Sequence, residues 1–84
     1  MESKEKKSLF GDPEIFFKKV GARMRALRIK ADFSSFEDFA HEHDIASSQY
    51  GRYERGTDMR MSTFIRILEA LNITFEEFFK EGFD

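Results

Sequence analysis

A chain of 84 residues without cysteine has room for one domain, and it excludes a disulfide framework or a thiolate metal site, so packing must carry its stability. Eleven phenylalanines and two tyrosines supply the apolar volume. No run nears the roughly twenty apolar residues of a membrane span, and the opening Met1-Glu2-Ser3-Lys4-Glu5-Lys6-Lys7 lacks the apolar core of a signal peptide, so no membrane partner and a cytoplasmic location are expected.

The net charge of −2 is unevenly laid down. Residues 1–35 carry nine Lys or Arg against five acids, and 52–66 carry four Arg against two acids, whereas 36–51 and 67–84 are each at −4. Alternating blocks of this kind let a mildly acidic domain present one positive face to a polyanion. Ordinary mixed surface charge is the competing account.

In chain order, residues 1–12 read as a flexible polar arm. Asp12-Pro13-Glu14 supplies an N-cap, a proline at the first helical position and a first-turn acid. From there Phe16 or Phe17, Val20, Met24 and Leu27 recur at three or four residues and predict a long helix from Pro13 to about Ala31. Gly21 inside it implies close approach of another backbone. Ser34 to Glu37 matches a capping box and starts a second, short helix with Phe36, Phe39 and Ala40 inward. His43-Asp44-Ile45 ends it, Asp44 being able to take the left-handed conformation. A third helix lies within Ile45 to Thr57 and stops at Gly56. Thr57 to Met61 form a loop. Ser62 is expected to cap a fourth helix with Phe64, Ile65, Ile67, Leu68 and Leu71 as its stripe, and Asn72 to stop it in the left-handed region. Thr74 to Glu77 is a further capping box, opening a fifth helix with Phe75, Phe78 and Phe79. The fold class is therefore all-α, one domain over 13–84 with five helices.

The third helix has two faces. Tyr50 and Tyr53 form a buried stripe led by Ile45, while Ser47, Ser48, Gly51 and Arg52 form a small, hydroxylated outer face with one long cation. The very short connection between helices 2 and 3, with Ala40 five residues before Ile45 and Tyr50 five after, resembles the helix-turn-helix of the Cro and phage-repressor (XRE-like) transcriptional regulators. Ser48-Gln49-Tyr50-Gly51-Arg52-Tyr53-Glu54-Arg55-Gly56 is its most specific part and is similar to the recognition helix of stand-alone bacterial members. The resemblance spans about Val20 to Phe79.

It implies a phage-repressor-like fold with the helix-turn-helix at helices 2 and 3, and a sequence-specific regulator of transcription whose partner is double-stranded DNA. The recognition helix, about 47–54, would enter the major groove with Ser47, Ser48, Gly51 and Arg52 toward the bases. Arg52 can fork onto guanine O6 and N7, or it is a solvated surface arginine. Ser34 and Ser35, at the start of helix 2, together with Arg55, Thr57 and Arg60, would contact phosphates, plain capping being the alternative for the serines. Arg28 and Glu54 match an architectural ion pair of the family. Three departures are visible. Phe36 stands where the family often has glutamine, Ala46 where it usually has a hydroxyl cap, and Ser47 where arginine or glutamine is common. They motivate an alternative, a protein-interaction module on the same scaffold with weakened or lost DNA binding and an unidentified protein partner.

No metal or cofactor is expected. His41 and His43 are two residues apart, which on a helix points their rings about 200° apart, and the i, i+4 ligand spacing of zinc proteases is absent. No nucleophilic arrangement or glycine-rich loop suggests an enzyme. Phe10, Phe16, Phe17 and Phe83 lie outside the stretch of resemblance and point either to a homodimer through the first helix and C-terminal tail or to rings that fill the core.

Overall fold

The computed structural model describes residues 11–84, and its regular structure there is entirely helical: α1 (Pro13–Lys30), α2 (Phe36–Glu42), α3 (Ser47–Glu54), α4 (Met61–Leu71) and α5 (Phe75–Phe78). The all-α, five-helix expectation holds. The arm expected over 1–12 falls, apart from Gly11 and Asp12, outside the described residues.

α1 starts as its sequence dictates, with the Glu14 amide donating to Asp12 Oδ1 at 2.9 Å and Pro13 in the first turn. Its inner stripe buries Val20 and Met24 against Phe39 and Ala40 of α2, Tyr50 of α3, Phe64, Ile67 and Leu68 of α4, and Phe78 of α5. Gly21 accounts for how closely α1 and α3 approach. A Cβ there would run into the Glu54 carbonyl and lie 2.6 Å from the Tyr53 carbonyl oxygen, so the last turn of α3 rests on bare backbone.

The first four helices all stop in the same way. Asp32, Asp44, Gly56 and Asn72 have φ of 74°, 60°, 107° and 57°. In each case the left-handed residue donates its amide three residues back, and the following amide donates five back: Phe33 to Arg28, Ile45 to Ala40, Thr57 to Arg52 and Ile73 to Leu68, at 2.8–3.1 Å. Three of the four following residues are apolar and fold back onto the core. Asp44, Gly56 and Asn72 are legible as stops; Asp32 is the one the sequence reading missed.

Two helix starts differ from expectation. α2 is capped by Ser35, whose hydroxyl accepts from the Asp38 amide at 3.2 Å, and not by a Ser34–Glu37 box. Both serines offer the same chemistry, and burial of Phe39 and Ala40 selects the register. α4 starts at Met61 behind an uncapped Arg60 whose carbonyl already accepts from Phe64, so Ser62 lies inside the first turn. Ile65, expected inward, is 40 % exposed.

The Thr74–Glu77 box forms in full. The Glu77 amide donates to Thr74 Oγ1, and the Thr74 amide and hydroxyl both donate to Glu77 Oε1, each at 3.1 Å. These bonds, the backbone one foremost, hold the Glu77 carboxyl below its ordinary range. Arg23 of α1 closes the other end of α5, donating from Nε to the Phe78 carbonyl at 2.8 Å and from Nη2 to the Glu77 carbonyl at 2.9 Å. Phe16 and Phe83 join the resulting aromatic cluster, Phe16 lying 6.2 Å from Phe79 and 5.6 Å from Phe83, and Phe83 lying 4.8 Å from Phe79 between ring centroids.

Arg28 is only 4 % exposed. It donates from Nε to Glu54 Oε2 at 2.7 Å, from Nη2 to Glu54 Oε1 at 3.1 Å and from Nη1 to the Phe33 carbonyl at 2.7 Å. The bidentate bond to Glu54 outweighs desolvation and raises the Arg28 pKa further. Glu54→Gln should therefore leave a buried, uncompensated guanidinium and cost about 3–5 kcal/mol, measured by chemical denaturation. A second expected outcome concerns acid. Because the folded Glu77 pKa is depressed, its contribution is full above the ordinary carboxylate range and fades as pH falls through the lowered value. The melting-temperature gap between the wild type and Glu77→Gln should accordingly be open at neutral pH and close in acid.

Candidate nucleic-acid interface

α3 is fixed from behind. Tyr50 is fully buried, its ring centroid 5.1 Å from that of Phe39, and Tyr53 packs half-buried against the core. The Tyr50 hydroxyl makes no hydrogen bond among the described residues. Burial first, and the neighbouring Glu54 carboxylate second, push the phenol well above its ordinary pKa, with Arg28 opposing. Tyr50 therefore stays neutral.

The turn before α3 is held from two sides. Ile45 donates its amide to Ala40, and Arg66 of α4 donates from Nη2 to the Asp44 carbonyl at 2.8 Å. Arg66 is a positioning residue the sequence reading missed, because nothing local links it to a turn 22 residues earlier. Ala46 begins α3 with no side-chain cap, so the first amides of α3 receive no side-chain acceptor from their own cap residue.

With its inner side committed, α3 turns Ser47, Ser48, Arg52 and Arg55 outward, all exposed. Thr57 and Arg60 follow on the loop, also exposed. Among the described residues none of these six side chains forms a hydrogen bond or ion pair. Glu54 adds little negative charge to this side, because Arg28 neutralises it inside the fold. Asp58 is the acid that remains beside Arg60.

Gly51 differs from its expected place on the open face. It is buried, and the ring of Phe36 lies over it: a Cβ at 51 would sit 2.7 Å from Phe36 Cε1. The two serines of the α2 start also diverge. Ser35 spends its hydroxyl on the chain, accepting from Asp38 and donating to Glu37 Oε1 at 3.0 Å, while Ser34 is exposed. A polar cleft runs between them and α3, lined by Arg25, Arg28, Ser34, Ser35, Phe36, Glu37, Gly51, Glu54 and Arg55. Arg25 and Phe36 are cleft residues that the sequence reading missed, because no local pattern links α1 or the start of α2 to α3. His43 packs its ring on Phe39, 4.7 Å between centroids, whereas His41 is exposed, so the two histidines do not converge.

The arrangement is a short helix clamped on its inner side, presenting hydroxyls and unpaired guanidinium groups from its outer side and from the loop beyond. Such a surface suits a rigid polyanion that also offers hydrogen-bonding edges. No curated protein and no solved structure gives a significant match to the chain. A family model described as helix-turn-helix matches residues 24–78, from the inner stripe of α1 to the end of α5. With the motif at α2 and α3 and most of its length matched, the chain belongs to the Cro/C1-type helix-turn-helix family of DNA-binding regulators.

Proposed function

We propose that this chain, as one domain over 13–84, is a sequence-specific double-stranded DNA-binding regulator of transcription, with α3 in the major groove. The observation that carries the reading is the pairing of a buried Tyr50 and Arg28–Glu54 clamp behind α3 with exposed, unpaired Ser47, Ser48 and Arg52 in front. Arg52 is assigned to guanine, the serines to either donor or acceptor edges. Ser34, Arg55, Thr57 and Arg60 are assigned to phosphates, with Arg25 beside the same cleft. Ser35, whose hydroxyl is occupied, contributes at most its backbone. Regulation then follows from occupying operator DNA in a bacterial cytoplasm, with no cofactor and no catalytic step.

A second reading rests on two features of the same face. The missing cap at Ala46 weakens the start of α3, and the apolar Phe36 offers a phosphate no hydrogen bond; both favour a protein-interaction module with an unidentified partner.

A homodimer is also part of the proposal. Phe16 and Phe83 are used within the chain, which removes the C-terminal tail from the expected dimer surface. An apolar groove of about 120 Å³ remains, lined by Phe17, Val20, Met59, Met61, Phe64 and Phe79 among others. Met61 is 63 % and Phe79 37 % exposed at this groove.

Duplexes selected from random DNA by the chain test the main reading. Arg52→Ala should relax preference at one base pair by about 1–3 kcal/mol, whereas Arg60→Ala should weaken all sequences alike and flatten the salt dependence. Binding that ignores both substitutions, or does not weaken steeply as salt rises, favours the protein-interaction module. For the dimer, sedimentation at micromolar concentration should give twice the 9.9 kDa chain mass, and Met61→Lys should return it to the monomer.

A further inference from the structure

Gln49 lies within α3, and none of the assignments above uses it. It is exposed, and among the described residues its side-chain amide forms no hydrogen bond. Its direction follows from what the rest of α3 covers. Successive residues of an α-helix are turned by about 100°, so Gly51 and Tyr53 lie about 100° to either side of Arg52. Both flanks are taken: Gly51 is buried under the Phe36 ring, and Tyr53 packs half-buried against the core. Nearly opposite Arg52, Tyr50 is fully buried. Arg52 therefore points along the middle of the open arc, with Ser48 about 40° to one side and Gln49 about 60° to the other.

We propose that Gln49 is the adenine reader of this interface, its amide nitrogen donating to N7 and its amide oxygen accepting from the N6 amino group in the major groove. The inference rests on the duplex-binding reading above and deepens it. Adenine shows an acceptor beside a donor on this edge, and a primary amide matches both at once. Ser48 has a single hydroxyl and Arg52 has donors alone, so neither makes this two-atom match. A phosphate offers acceptors only and would use half of the amide. Residues three apart on a helix are neighbours and rise by about 4.5 Å, against about 3.4 Å between base pairs, so the adenine lies within about two base pairs of the guanine taken by Arg52. An uncharged amide releases no counterions, so the contact adds preference without adding to the salt dependence, unlike Arg55 or Arg60.

The experiment uses the full chain and a duplex selected from random DNA, with each adenine replaced in turn by 7-deazaadenine, which pairs normally but lacks the N7 acceptor. At one adenine, within about two base pairs of the position where Arg52→Ala relaxes preference, wild-type binding should fall about fivefold, the net worth of one hydrogen bond, with an unchanged salt slope. Gln49→Ala keeps a good helix former at an exposed position, and its helicity is checked by circular dichroism. It should bind the adenine and 7-deazaadenine duplexes equally and tolerate other bases at that one position. Duplex binding with no adenine of this kind overturns this proposal alone. So does a sensitivity to N7 that persists in Gln49→Ala, or a Gln49→Ala that weakens all sequences alike, which would move the amide to phosphate. Failure to bind any duplex overturns the proposal together with the reading beneath it.

Discussion

One guanidinium ties the molecule together. Arg28 leaves the last turns of α1, holds the linker to α2 through the Phe33 carbonyl, and grips the end of α3 through both oxygens of Glu54. Burying the pair is costly by itself, and it is tolerable because all three donor positions used are matched to acceptors at 2.7–3.1 Å. The benefit is orientation. A short helix of eight residues has little intrinsic stability and would not hold an angle to its neighbours by propensity. Fixed at its C-terminal end by Glu54, seated on Gly21 and anchored mid-length by Tyr50, it becomes a rigid presentation of its outer face.

That rigidity separates the two sides of α3 by chemistry. The inner side takes the aromatic area and the Glu54 carboxylate, and the outer side keeps exposed serines and arginines that have no internal partners among the described residues. The charge balance of the whole chain hides this, since its acids concentrate in α2 and in the segment from α4 onward. Preorganised polar groups lose little freedom on binding, which favours recognition by geometry over recognition by adaptation.

Much of this was readable from residue order, and the reasons for the exceptions are physical. Helix periodicity and the stops at Asp44, Gly56 and Asn72 depend on neighbours within a turn, so they survive in the sequence. The α2 and α4 starts did not. Ser34 and Ser35 are chemically equivalent caps, and Ser62 looks like a cap, until burial of Phe39 or Phe64 chooses the register. Arg28–Glu54 was suggested by resemblance, but its third bond to Phe33 was not. Arg66 on the Asp44 carbonyl and Phe36 on Gly51 were invisible for a common reason: each is a contact between elements that no local pattern announces. Gly51 shows the cost. Its lack of a side chain reads as room for a ligand, and the room is already taken by a ring from the same chain.

The shared left-handed stop of the first four helices has a bearing on how this scaffold can vary. Three of the four chain reversals are completed within a few residues whose amides are already committed to the preceding turn. They have no slack, so an added or deleted residue there would rotate the next helix off its seat. The stretch between Gly56 and α4 is different, because Thr57 to Arg60 run exposed or half-buried and no side chain caps the start of α4. That bend, held to the core by Met59, is where a change of length, and with it a new reach beyond the end of α3, would disturb the frame least.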